Sequence, residues 1–368
     1  MAPVTSADGP VAVTGAAGYI GAHLVKNLAE HGYAVRACVR DAARGEKTAC
    51  LLACNGRGLG RVEVFEADLT KDGCYDEVFK GCCAVFHVAA DLAHDRTYGN
   101  PFKTKDAMYH MLMNGTKNVL SAIEKSGTVK RLLYTSSGAA VKGPGPKGYI
   151  WSEKDWCGAG GPEDMQKKWR GHFTNEQNPY GKGKMDSEQL CYAWGKEKGI
   201  DAISIIPEHV LGPLLSLAHN TTWQHDLAEI FCGRYHPDQL WGITDVRDCA
   251  EGYRLAAESP VAGNGSRYFV VTPAESGGAP TPRELVEELR RLYPEEGGLG
   301  GVKPIPPGKQ YMPVVTTKAR DELGLRCHIA RDTLRDTIDS LRALGCIDEI
   351  RAKIAKKEAE KAAAPSKL

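Results

Sequence analysis

The run Val11-Ala12-Val13-Thr14 leads directly into Gly15-Ala16-Ala17-Gly18-Tyr19-Ile20-Gly21, and this junction constrains the fold more than any other stretch. An apolar strand, a turn with glycines at GxxGxxG spacing and a helix opening immediately afterwards form the start of a parallel βαβ unit. Gly15 permits the tight turn, Gly18 lets backbone approach a ligand, and Gly21 allows the helix to pack closely. The first turn of that helix carries unpaired N–H groups and the positive end of its dipole, which suits it to a pyrophosphate.

The chain continues the pattern. Apolar runs at 34–39, 62–66, 84–88, 131–135 and 202–206 alternate with helical stretches at 20–32, 107–125 and 180–198. Regular alternation of this kind predicts an α/β fold, a doubly wound Rossmann parallel sheet covered on both faces. Between 142 and 178 the pattern gives way to Gly, Pro, Lys and Trp, a length usually reserved for a functional segment. Beyond Pro207 the texture changes: 213–241 reads as irregular helix, 267–271 as a short strand, and 281–292 and 332–344 as helices. The expected organisation is a dinucleotide-binding domain over 1–206 with a return around 240–272. A smaller C-terminal α/β substrate lobe spans 207–239 and 273–346, and a charged helical tail follows at 347–368. Residues 353–368 read as a solvated, fraying helix.

Bulk properties narrow the partners. The 368 residues carry a formal net charge of +1 with acids and bases interleaved, so neither nucleic acid nor an anionic membrane is an expected partner. No apolar run approaches the roughly 20 residues of a membrane span, and Met1 to Gly9 lacks a secretory pattern. The 12 cysteines contain no CxxC pair, and Cys50 and Cys54 have no second pair to complete a zinc site. Scattered thiols fit a reducing compartment, so the expectation is a cytosolic protein, without a metal, acting on a small molecule as monomer or homodimer.

Two features address the chemistry. A carboxylate at the end of the second strand would bind a free ribose 2′-hydroxyl, whereas an arginine there pairs with a 2′-phosphate. The chain has Val39-Arg40-Asp41, with Arg44 and Lys47 nearby, which favours NADPH and leaves NADH as the alternative; Asp68 and Leu69 are placed to flank the adenine. Tyr180 and Lys184 form YxxxK at a helix start, on one face at i and i+4. An ammonium one turn away lowers the tyrosine pKa and fits Tyr180 to donate a proton. The strand at 131–135 ends in Thr135-Ser136-Ser137, hydroxyls at the sheet edge where open α/β folds bind ligands, and a serine there can polarise a carbonyl.

With these motifs the chain resembles the extended short-chain dehydrogenase/reductases, in the branch of dihydroflavonol reductases, cinnamoyl-CoA reductases and fungal carbonyl reductases. The resemblance also covers Ala67-Asp68-Leu69, Val85-Phe86-His87-Val88-Ala89, Asn114-Gly115-Thr116 and the stretch from Ile206 to Pro213. It implies Ser137, Tyr180 and Lys184 as the catalytic set, with Asn114 nearby relaying protons and Lys184 also holding the nicotinamide ribose. It places Gly15, Ala17, Gly18, Tyr19, Ile20, Gly21, Arg40, Asp68, Leu69, Val88, Ala89, Ala90, Thr135, Pro207, His209 and Val210 around the cofactor.

The chain departs from named members of that branch. Lys142 stands five residues after Ser137, where plant dihydroflavonol reductases carry Asn or Asp, and Asn178-Pro179-Tyr180-Gly181 replaces the aromatic-rich motif of cinnamoyl-CoA reductases. Lys142 reads as a solvated loop lysine, or else as a contact for an acidic substrate. The segments 151–156 and 214–235 are expected to close over the substrate, with Trp223 and Trp241 as candidate pocket aromatics. The reading is NADPH-dependent reduction of an aldehyde or ketone. The alternatives are a 3β-hydroxysteroid dehydrogenase-like or sugar-nucleotide-modifying enzyme, or a non-catalytic cofactor-binding subunit.

Overall fold

The computed structural model describes residues 2–43, 45–55, 60–90, 106–143, 149–157, 174, 178–234, 241–296, 299 and 314–363. Arg44 and Tyr235 lie outside them, as does most of 144–177.

Seven strands form one parallel sheet: β1 (Val11–Thr14), β2 (Ala34–Val39), β3 (Arg61–Glu66), β4 (Ala84–His87), β5 (Arg131–Thr135), β6 (Asp201–Ile206) and β9 (Arg267–Phe269). Their order is β3-β2-β1-β4-β5-β6-β9. Every residue of β1, β4, β5 and β6 is buried, as strands covered on both faces require. On one face α1 (Tyr19–Glu30) and α6 (Val246–Glu258) supply Leu24, Val25, Leu28, Cys249, Tyr253 and Ala257 to a core with Val11, Val13 and Phe86. On the other, α3 (Ala107–Ser126) and α4 (Pro179–Lys198) bring Val119, Ile123 and Cys191 against Ala12, Val85 and Leu132.

The chain builds outward from β1 to β3, then reverses and builds from β4 the other way. The reversal leaves a crevice between the carboxyl ends of β1 and β4, where ligands of such sheets bind. Short helix α2 (Gly45–Leu52) flanks that end.

After β6 the chain forms β7 (His209–Leu211), which pairs in parallel with β8 (Ile243–Asp245). A separate apolar cluster lies beyond them. It gathers α5 (Thr222–Phe231), α7 (Pro282–Leu292), α9 (Ala330–Ala343) and the first turns of α10 (Cys346–Ala363) through Leu227, Phe231, Trp241, Leu289, Ile338, Ile347 and Ile350. Helix α7 begins at a capping box, Thr281 and Glu284 each accepting from the other's backbone amide, which fixes its start. Helix α8 (Thr317–Leu323) packs against the sheet core through Ala319 and Leu323.

The C-terminal helix buries Cys346, Ile347 and Ile350, while Lys353 and residues 355–357, 359 and 360 in its Lys/Glu-rich part are exposed. One expectation needs correction: Trp151 does not cover a substrate space. It is buried with Val141, Ile206, Phe269 and Val271.

All 12 cysteines are free thiols and none is exposed. Burial pushes up Cys38, Cys157 and Cys191, the second to about 12.

Candidate active site

The phosphate loop has the geometry its glycines imply. Gly15 sits at φ +67°, and a Cβ there would meet Ala89 Cα at 2.8 Å, so glycine is required twice over. A Cβ on Gly21 would fall 2.2 Å from the Gly15 carbonyl oxygen, which shows how closely the helix returns over the loop. No acidic residue occupies the first turn of α1, leaving its positive end uncompensated. The loop is tied to the neighbouring strand end: Thr14 Oγ1 accepts from Ala89 N at 3.1 Å and lies 3.0 Å from His87 Nδ1. Burial first, then the Lys184 charge, lowers His87 to about 3, so the ring is neutral. The start of α1 is also fastened to the second half of the chain, as Tyr19 donates to Gly212 O at 2.7 Å and His23 Nε2 lies 2.8 Å from Pro213 O.

This loop forms the floor of a cavity of about 1190 Å³. Its lining contains Gly15, Ala17, Gly18, Tyr19, Ile20 and Gly21. At the end of β2 it has Arg40 and Asp41, on α2 Lys47, and after β3 Asp68 and Leu69. Val88, Ala89 and Ala90 continue it from β4, and Thr135, Ser137, Tyr180, Lys184, Pro207 and Val210 complete it. Burial raises the Asp68 carboxyl, but hydrogen bonds from Thr70 and the charges of Arg40 and Lys71 outweigh it and hold Asp68 below the usual range. The cradle is shaped for an extended anionic dinucleotide, with two cations, Arg40 and Lys47, where a ribose phosphate would lie.

The end of the cavity that carries Tyr180 and Lys184 is built by α4. Asn178 caps the helix, its side chain accepting from Gly181 N at 3.0 Å, and Pro179 occupies the first turn. A Cβ on Gly181 would meet Ala139 O at 2.8 Å, and one on Gly183 would meet Leu112 Cδ1 at 2.8 Å. The departure from the aromatic-rich motif thus lets the helix press against the Ser137 turn and α3. Lys184 is buried and donates to Thr135 O at 2.8 Å. Burial lowers it to about 8, with Glu188 opposing. Tyr180 is half-buried and hydrogen-bonds Ser137; burial raises its pKa and only that bond acts against it. The sequence suggested that Lys184 would lower the Tyr180 pKa. Here the ammonium is turned to the Thr135 carbonyl instead.

Two expected residues stand apart. Asn114 is exposed on α3 and does not line the cavity. His209 lies behind the wall: its ring centroid is 4.2 Å from that of Trp223 and 5.3 Å from that of Trp241, and it accepts from Gly242 N at 3.0 Å. Trp223 faces the cavity, whereas Trp241 is buried in the core.

Lys142 is neither solvated nor free for a ligand. It pairs with Glu208 at 2.7 Å, the two side chains being 15% and 2% exposed. Gly138 and Gly242 make room for that carboxylate: a Cβ on Gly242 would fall 1.9 Å from Glu208 Oε2. Glu208 lines the cavity; the resemblance placed the stretch from Pro207 to Val210 at the nicotinamide pocket but gave Glu208 no role of its own, although an acid after Pro207 in an apolar setting was a visible signal. The lining also includes His225, Glu229, Glu349 and Lys353 from α5 and α10.

Among the described residues, Asp245, Asp248 and His328 could offer three metal ligands within 4.8 Å. Each acid already has protein partners: Arg247 and Thr333 donate to Asp245, and His328 pairs with Asp248. No described helix is long and apolar enough to cross a membrane.

The model of the NAD dependent epimerase/dehydratase family matches residues 11–272. The chain belongs to that family. Within it, the chain is 31% identical over 345 residues to "Cinnamoyl-CoA reductase CAD2" of Medicago truncatula, spanning 90% of this chain and 95% of the relative. It is 30% identical over 347 residues to "Bifunctional dihydroflavonol 4-reductase/flavanone 4-reductase" of Malus domestica, spanning 92% and 91%. Among solved structures, Gre2 from Candida albicans in complex with NADPH superposes with a TM-score of 0.72 at 24% identity, over 91% of this chain and 99% of that one. These likenesses make the protein an extended short-chain dehydrogenase/reductase with a Rossmann-like sheet. The family match ends at Thr272, so α7, α8, α9 and α10 lie beyond it.

Proposed function

We propose that this protein reduces an aldehyde or ketone to the alcohol, with NADPH as cofactor and Tyr180 as proton donor. The observation that carries the reading is the convergence of Ser137, Tyr180 and Lys184 on the same cavity as the phosphate loop and Arg40. NADPH supplies the hydride when bound. The amides at the start of α1 would hold its pyrophosphate, Arg40 its 2′-phosphate, and Lys184 its nicotinamide ribose. Ser137 orients the substrate carbonyl, and the Tyr180 hydroxyl, already hydrogen-bonded to Ser137, releases its proton to the carbonyl oxygen. The raised Tyr180 pKa keeps the hydroxyl protonated, so its proton is present when the carbonyl oxygen gains charge.

The relatives support the reading: reductases of carbonyl-bearing compounds recur among them, and Candida albicans Gre2 was solved with NADPH. In this reading residues 207–239 and 273–346 form the substrate-binding part, and the protein works in the cytosol on a small molecule. The test is NADPH oxidation across a panel of aldehydes and ketones, with NADH in parallel. Consumption of NADPH with formation of the alcohol supports the proposal; cofactor binding without turnover on any carbonyl removes it.

A further inference from the structure

One buried carboxylate next to the catalytic centre is not used by the chemistry above. Glu188 lies one helical turn beyond Lys184 on α4 and is fully buried. Four hydrogen bonds reach it. Ser136 Oγ donates to Oε2 at 2.6 Å, Tyr192 OH donates to Oε1 at 2.8 Å, and Arg267 Nε and Nη2 donate to Oε1 and Oε2 at 2.8 and 3.2 Å. Arg267 is buried too. It stacks on Trp156, 3.6 Å from the ring centroid, and donates to the carbonyls of Glu153 and Asp155. A single ion pair therefore joins the catalytic helix, the strand end next to Ser137, the edge strand β9 and the segment 149–157.

An ion pair in such a place is not explained by stability, since apolar residues of similar volume commonly do as well. Its position relative to Lys184 is more informative. A buried ammonium without a nearby anion tends to give up its proton. The groups around Lys184 are the Thr135 carbonyl and Tyr134 ring on β5, neutral His87 on β4, and Tyr180, Glu188 and Cys191 on α4. From α3, Met113 Sδ accepts from Ser187 Oγ and Tyr109 pairs with Asp186, both on α4. From α6, Tyr253 donates to Thr135 Oγ1. Of these, Glu188 is the carboxylate that acts on Lys184.

Building on the proposed reduction, we infer that Glu188 is a positioning residue for Lys184, the group that would hold the nicotinamide ribose. It keeps Lys184 charged from one turn away and, through Ser136 and Arg267, fixes the strand end that presents Ser137. Arg267 holds the carboxylate in place and carries the same restraint to the 149–157 segment.

The test is Glu188→Gln, which preserves shape and a hydrogen-bond acceptor but removes the charge. Two readings are taken: the pH dependence of kcat for NADPH-linked reduction, and titration of the Lys184 amine in cofactor-free protein. The second uses NMR of lysine-labelled protein, with the signal assigned by its loss in Lys184→Met. The expected result is that both curves move to lower pH by on the order of one unit. If Glu188→Gln does not fold, Glu188→Gln/Arg267→Met removes both buried charges and is read the same way. Curves that keep their midpoints while kcat falls equally at all pH values would overturn the inference and leave a structural role. Failure of the wild type to reduce any carbonyl would remove the proposed function, while the titration in cofactor-free protein would still report on the Glu188–Lys184 pair.

Discussion

The carbonyl of Thr135 accepts a 2.8 Å hydrogen bond from the Lys184 ammonium, so the helix bearing Tyr180 is pinned to the strand whose end bears Ser137. The groups proposed to be catalytic thus sit at the ends of a paired strand and helix. What remains variable is the charge on Lys184 and the surroundings of the cavity.

Tyr180→Phe keeps the ring and removes the proton donor. Turnover should fall by about 10² to 10⁴, with NADPH affinity little changed. Steady-state kinetics paired with a fluorescence titration of the cofactor checks both halves; near-wild-type kcat would remove Tyr180 from the mechanism.

Turnover in the reducing direction should depend on pH through Lys184. Burial lowers this amine to about 8, so it is charged below that pH and loses its proton as pH rises through it. The rate should therefore be flat at neutral pH and decline above about pH 8. A kcat profile that rises through this range would contradict the assignment.

Arg40→Ala should weaken NADPH by about 10- to 100-fold, the range for losing a hydrogen bond to a charged group. NADH, which lacks the 2′-phosphate, should change several-fold at most. Dissociation constants for both cofactors decide the point, and equal losses would refute a 2′-phosphate contact.

Lys142→Met leaves Glu208 buried without its counter-ion. Breaking a buried pair costs about 3 kcal/mol, whereas Lys142→Met/Glu208→Gln should recover most of that. Urea denaturation of the wild type and both variants measures it. A single variant as stable as the wild type would show that the pair is dispensable.

The sheet was legible because most of its strands are apolar runs set off by a glycine or a helix of opposite periodicity, β3 instead interleaving Arg61, Glu63 and Glu66 with its apolar residues. The cavity floor was legible because Gly15 and Gly21 are demanded by backbone geometry, which a spacing of three reveals. Helix α6 was missed because its buried face is made of Cys249, Ala250, Tyr253 and Ala257, too small and mixed to stand out. Its cap was readable all the same: Asp245 accepts from Arg247 N. The Lys142–Glu208 and Glu188–Arg267 pairs could not be read, since each joins residues more than sixty apart and no local pattern records which charge finds which. Lys142 looked solvated for that reason, and Asn114 looked central because its motif, rather than its exposure, was visible.

The sheltered thiols give the molecule an internal clock. Since Cys38, Cys157 and Cys191 are buried and burial suppresses their thiolates, alkylating reagents must wait for the chain to open before they reach these three. Cys191 sits on the catalytic helix and Cys38 on β2, so their separate labelling rates would time the opening of each half of the active site.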